Sequence, residues 1–138
     1  MGKALDNSQK LILNSEIGHL ELLRKFLKKT FKEREICRSK FNRLLLCISE
    51  GVSNAIIHGN KNNINKSVSL DVEIKSNEAT VIIEDEGFGF DFNDQPNPTT
   101  QENLKKEKGR GLFIIKAYAK EIDFKNNGSI LRIKFDLS

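Results

Sequence analysis

An α+β fold is expected for this chain: a two-layer sandwich with a mixed, mostly antiparallel sheet and helices on one of its faces. Three features of the 138 residues predict it. Two helix-periodic stretches come first, strand-like apolar alternations follow, and an Asn-Gly pair near the end reads as a hairpin turn. Helices followed by strands, rather than a regular alternation of the two, favour an antiparallel sheet covered on one side.

The first helical stretch is expected to begin at Asn14-Ser15-Glu16, residues suited to capping, and carries Leu20, Leu23, Phe26 and Leu27 at spacings of three and four. The second runs from about Ile36 to His58, with Phe41, Leu44, Leu45, Ile48, Val52, Ala55 and Ile56 as its apolar stripe. Gly59 and the Asn-rich run to Asn65 stop it. Val68, Leu70, Val72 and Ile74 alternate with Ser69, Asp71, Glu73 and Lys75, which marks a half-buried strand. A turn at Ser76-Asn77 leads into a second strand, Ala79–Glu84, centred on Val81, Ile82 and Ile83. From Glu86 to Lys108 there is no period, and Gly87, Gly89, Pro96 and Pro98 punctuate the stretch, so it reads as a long functional or disordered loop. Leu112–Ala119 follows as a short helix. Glu121–Lys125 and Ser129–Leu137 then form a hairpin about Asn126-Asn127-Gly128, with Leu131, Ile133, Phe135 and Leu137 facing one way.

Length and composition set bounds. The chain fits one domain, 1–138, able to bury roughly two-thirds of the surface its unfolded form would expose. Hydrophobic residues at 38% and charged residues at 30% are ordinary for a soluble globular protein. No segment nears the ~18 consecutive apolar residues of a membrane span. The polar start, Met1 to Lys10, has no apolar stretch behind a basic flank, so no signal peptide and a cytoplasmic location are expected. The net charge is +4, but acidic residues are mixed into both lysine-rich stretches and no aromatic series accompanies them. Direct nucleic-acid binding is therefore not expected. Cys37 and Cys47 have no CxxC neighbour and no surrounding histidines, and read as two buried thiols in a reducing compartment.

Three constellations carry chemistry. Glu50, Asn54 and His58 stand four apart and form one stripe of a helix, apart from its apolar face. An amide oxygen is a hard ligand for Mg²⁺, and a carboxylate beside it can take a proton from a hydroxyl that attacks a phosphate. By itself such a stripe is more often a solvated helix face than a site. Asp85-Glu86-Gly87-Phe88-Gly89 directly follows an apolar strand. There a Gly-x-Gly turn lets the backbone approach a flat ligand while Asp85 accepts hydrogen bonds, for instance from an exocyclic amine; a plain turn is the alternative. Lys108-Gly109-Arg110-Gly111-Leu112 opens a helix, where exposed amides and the positive end of the helix dipole favour anions. Neither Gly-x-Gly belongs to a P-loop or to a Rossmann fingerprint.

In order, these segments resemble the GHKL ATPase superfamily over about Leu20 to Phe135. The N box is matched by Glu50 to Gly59, the G1 box by Asp85 to Gly89 and the G2 box by Gly109 to Leu112. Ser49-Glu50, with Asn54-Ala55-Ile56-Ile57-His58-Gly59, looks closest to the anti-sigma factor serine kinases of that superfamily. So does the stretch from Asn97-Pro98-Thr99 to Gly111-Leu112, which looks like their ATP lid.

The resemblance implies a Bergerat ATP-binding fold and a Mg-ATP-dependent serine/threonine protein kinase. Glu50 would be the general base and Asn54 the Mg²⁺ ligand. Asp85 would take the adenine amino group, with Gly87, Gly89 and Ser129 completing that pocket. Lys108, Gly109, Arg110, Gly111 and Leu112 would meet the phosphates. The implied partners are a STAS-domain antagonist as substrate and a sigma factor that the kinase sequesters, with homodimerisation common in the branch. One position departs from the pattern: Glu107 stands where such kinases can carry Arg near the terminal phosphate. That departure keeps open an ATP-dependent binding module with little or no phosphotransfer.

Overall fold

The computed structural model describes residues 8–16, 18, 20–32, 34–87 and 109–138. In chain order the elements are β1 (Gln9–Asn14), α1 (Leu20–Thr30), α2 (Arg38–Asn54), β2 (Ser67–Lys75), β3 (Glu78–Asp85), α3 (residues 109–118), β4 (Glu121–Lys125) and β5 (Ile130–Asp136). The five strands lie in the order β1-β2-β3-β5-β4, and all four pairings are antiparallel. The parallel component expected of a mixed sheet is thus missing among the described strands.

Register follows from the period-two alternation. Leu11, Leu70, Ile83, Leu131 and Phe124 form one row across the sheet, each paired with the next. This face carries the buried residues Leu13, Val68, Val72, Ala79, Val81, Ile133 and Phe135. The opposite face carries Asp71, Glu73, Glu84, Asp123, Arg132 and Lys134, none of them buried, so the described helices lie on the other side of the sheet.

The helices supply the matching apolar stripes. α1 buries Leu23 and Leu27; α2 buries Leu44, Cys47, Ile48, Gly51 and Val52; α3 contributes Ile115. Residues so fully enclosed cost about 2–5 kcal/mol when cut back to Ala, which makes this cluster the main source of stability. Phe31 and Phe41 join the first two helices edge to face, their ring centres 6.4 Å apart.

Two sequence expectations are corrected. Asn14 ends an edge strand and does not cap a helix, and α1 begins only at Leu20. Ser15 instead closes the start of β2, its amide and hydroxyl both donating to the Lys66 carbonyl at 3.1 and 2.9 Å. The strand was hidden because Leu11, Ile12 and Leu13 are consecutive apolar residues, and because its partner Leu70 is far along the chain. Cys37 is exposed, at the N-cap of α2, while Cys47 is buried as expected.

Candidate active site

α2 does not end as a regular helix. Ala55–Gly59 form one turn of wider π geometry, closed by the Asn60 N–H donating to the Ala55 carbonyl at 2.8 Å. Such turns re-aim the residues that follow, and they concentrate at functional sites. Here the turn brings Gly59 against the end of β3. The alternation that buries Val81 and Ile83 also puts Asp85 on the helix-covered face, where it is 8% exposed. The Asp85 N–H donates to the Ser129 carbonyl at 2.9 Å, and Asp85 Oδ1 accepts the Gly87 N–H at 2.8 Å.

Between α2, β3 and the β4–β5 hairpin lies a cleft. Asn54, His58, Gly59 and Asp85 line it, and Phe124, Asn127 and Gly128 form its far wall. An apolar wall with a few convergent polar groups is the usual make-up of a small-ligand site. The far wall was not identified from the sequence. Asn126, Asn127 and Gly128 all have positive φ, so the Asn-Asn-Gly signal that predicted the turn also builds the wall.

Close approach of backbones shapes the cleft. A Cβ on Gly51, in the interior of α2, would fall 2.6 Å from Ile83 Cδ1, so glycine there lets the helix settle on the sheet. A Cβ on Gly87 would fall 2.2 Å from the Gly59 carbonyl oxygen. A glycine inside a helical pattern lowers helix propensity, and Gly51 was a legible sign of close packing that the motif reading passed over.

α3 runs antiparallel to α2. Gly111 lies at Glu50 and Asn54, the Cys47 thiol donates to the Ile114 carbonyl at 3.8 Å, and the Arg43 guanidinium stands 5.5 Å from the Tyr118 ring centre. A Cβ on Gly111 would sit 3.0 Å from Glu50 Oε2 and 3.3 Å from Asn54 Nδ2. The N box and the G2 box therefore meet at these three residues. Gly109, Arg110, Gly111 and Leu112 all lie inside the helical segment, with Gly109 and Arg110 exposed and Gly111 buried. Gly89 and Lys108, and with them Glu107 and the expected lid, lie outside the described residues.

Asn54 Nδ2 is buried and has no hydrogen-bond partner among the described residues. Leaving such a group unpaired costs about 1–3 kcal/mol, so a buried orphan amide in a cleft marks a place where a ligand completes the bonding. The nitrogen suits a phosphate oxygen, and the amide oxygen beside it suits a hard cation. No group of three His, Cys, Asp or Glu side chains able to hold a metal ion occurs among the described residues.

Burial pushes the Cys47 thiol up to about 11, and the negative charge of Glu50 adds to the effect. Ser129 stands beside Asp85 through its main chain, while its hydroxyl donates to the Asn126 carbonyl at 3.1 Å. His58 lines the cleft on the same stripe as Glu50 and Asn54.

The chain is similar to the anti-sigma F factor of Shouchella clausii, 38% identical over 78 residues that make up 54% of this chain and 53% of that one. The anti-sigma F factor of Clostridium beijerinckii is 33% identical over 69% of this chain and 70% of its own length. The serine-protein kinase RsbW of Bacillus subtilis is 27% identical over 63% and 58%. The chain thus spans about half of the first relative's length and more of the second. Among solved structures, the blue-light activated histidine kinase of Erythrobacter litoralis EL346 shares the fold, with a TM-score of 0.51 at 20% identity over 75% of this chain and 32% of that one. The family described as the histidine kinase-like ATPase domain matches residues 13–135, and this chain belongs to it.

Proposed function

We propose that this chain is a single Mg-ATP-binding unit that transfers the γ-phosphoryl group to a serine or threonine hydroxyl of a partner protein. The observation that carries the reading is the buried Asn54 Nδ2, without a hydrogen-bond partner among the described residues, beside Glu50 and under Gly111. A phosphate-metal group is the ligand that such a pair would hold. The names of the relatives, anti-sigma F factor and serine-protein kinase, point the same way.

In this reading Asp85 accepts a hydrogen bond from the adenine amino group, and Gly87 and Gly89 keep side chains out of the nucleotide's path. Ser129 supports that end of the pocket. Asn54 would hold the Mg²⁺, and Lys108, Gly109, Arg110, Gly111 and Leu112 would meet the phosphates. Bound Mg²⁺ neutralises charge on the phosphate oxygens. Glu50 takes the proton of the incoming hydroxyl as its oxygen bonds to the γ-phosphorus, and ADP leaves with the electron pair of the broken P–O bond. The acceptor would be a STAS-type antagonist and the sequestered partner a sigma factor, both met in the cytoplasm by a homodimer.

The test incubates the protein with Mg²⁺, γ-labelled ATP and cytosol of its source, wild type beside Glu50→Ala. Label on a serine or threonine of a small protein, from wild type only and with ATP binding kept in the variant, is the expected result. Nucleotide binding without transfer by the wild type would overturn the kinase reading and leave an ATP-dependent binding module.

A further inference from the structure

Asn60 is 1% exposed and lies just beyond the π turn. Its side chain makes three hydrogen bonds to three separate parts of the chain. Nδ2 donates to Ser15 Oγ at 2.8 Å and to the Ser67 carbonyl at 2.9 Å, while Oδ1 accepts the Glu86 N–H at 2.8 Å. Its own N–H closes the π turn. One side chain thus joins the end of α2, the β1 and β2 ends, and the residue between Asp85 and Gly87.

That last bond is the informative one. Asp85 and Gly87 are the described residues of this turn assigned to the nucleotide, and Glu86 between them is fixed from its N–H by Asn60 and from its carboxylate by the amide and hydroxyl of Ser67. A buried amide with both polar ends engaged holds its partners more firmly than an exposed one, because releasing either end leaves an unpaired group inside the protein.

We propose that Asn60 is a positioning residue for nucleotide binding, acting through the Glu86 main chain to hold Asp85 and Gly87 in binding geometry. This inference rests on the nucleotide reading of Asp85. Asn60 touches no ligand itself. Its donor end secures the strand ends, its acceptor end secures the binding turn, and the two ends can be cut separately.

The experiment measures Mg-ADP affinity by calorimetry and melting temperature for a set of variants, at a temperature where each is folded. Asn60→Ala is expected to weaken Mg-ADP binding at least about tenfold. Ser15→Ala removes an acceptor from the other end of the same side chain, and is expected to lower the melting temperature while keeping affinity within about twofold. Glu86→Pro deletes the N–H together with the Glu86 carboxylate, and serves if Asn60→Ala does not fold. Asp85 before Glu86 is in a strand, the extended backbone that a following proline requires, and the ring would stand where the N–H now meets Asn60 Oδ1. Glu86→Ala, which keeps the N–H, is its control.

Weakened binding in Asn60→Ala and Glu86→Pro, with Ser15→Ala and Glu86→Ala near wild type, supports the assignment. Equal losses in Asn60→Ala and Ser15→Ala would reduce Asn60 to general stability and overturn it, as would unchanged affinity in Glu86→Pro. Asp85→Ala separates the two readings. If it binds Mg-ADP as tightly as wild type, the nucleotide reading of Asp85 has failed and the role of Asn60 falls with it.

Discussion

Gly59 lies directly against Asp85: a Cβ on Gly59 would fall 2.3 Å from both Cγ and Oδ2 of that carboxylate. The carboxylate cannot retreat without cost, since its Oδ1 holds the Gly87 N–H. Gly59 is therefore the residue that lets a carboxylate stand at the floor of the cleft. Gly59→Ala should raise the Kd for Mg-ADP at least about tenfold, or ~1.4 kcal/mol. Overpacking of this kind also costs about 1–3 kcal/mol of stability. Calorimetry and urea unfolding would read the two effects separately. Unchanged affinity would mean that Asp85 is not where the ligand sits.

Asn54 inverts the usual relation between burial and stability. Its Nδ2 is a buried donor with no partner among the described residues, so removing the side chain removes a cost as well as a packing contact. Asn54→Ala is expected to melt at or above the wild-type temperature without ligand. With Mg-ADP the order should reverse. A ligand at 100 times its Kd stabilises by about 2.7 kcal/mol, and the variant should show little of that shift. Differential scanning fluorimetry with and without nucleotide checks both halves. A variant that melts lower alone, yet is shifted by nucleotide like wild type, would assign Asn54 to packing.

The two cysteines should differ in reactivity. The Cys37 thiol is exposed and lowered by hydrogen bonding, first from the Ser39 hydroxyl and then from the Lys40 amide. The Cys47 thiol is buried and raised to about 11. Thiolates are the species that alkylate, so iodoacetamide at pH 8 should label Cys37 and spare Cys47 until the protein unfolds. The sign of the linkage follows. Cys47 is harder to deprotonate when folded, so its contribution to stability is complete below about pH 9 and lost as pH rises through about 11. A pH series of urea midpoints, wild type beside Cys47→Ala, should show that loss in wild type only. Labelling of both thiols alike by mass spectrometry would contradict the picture.

Much of this was legible because the signals were local. Val68, Leu70 and Val72 alternate as a strand must, and Asn127-Gly128 turn as their positive φ requires. The stripe Glu50-Asn54-His58 needed only helix periodicity to place its members together. What stayed hidden depends on contacts between distant segments. β1 exists because Leu11 and Leu13 find Leu70 and Val68, and three consecutive apolar residues carry no period of their own. Asn60 read as one of several loop asparagines, since nothing local shows that its amide reaches Ser15, Ser67 and Glu86. Ser129 meets Asp85 through its main chain while its hydroxyl is directed to Asn126, a detail of turn geometry beyond pattern reading.

Gly111 offers the sharpest separation of binding from transfer. It sits inside the helical segment, where Gly costs up to about 1 kcal/mol relative to Ala. On propensity alone, Gly111→Ala should stabilise the protein. Its Cβ, however, would stand 3.0 Å from Glu50 Oε2 and 3.3 Å from Asn54 Nδ2, tighter than ordinary contact. The Glu50 carboxylate is the far end of a flexible side chain and yields first, by a few tenths of an ångström. A general base acts only within hydrogen-bond reach of its proton, so such a shift falls on the transfer step. The expected outcome is a melting temperature at or above wild type, nucleotide affinity within about threefold, and kcat for phosphotransfer down at least about tenfold. Steady-state kinetics with the labelled acceptor give the split between kcat and KM. A loss confined to the KM for ATP would place Gly111 against the phosphates alone, and unchanged kinetics would mean that Glu50 acts from a position that the helix does not constrain.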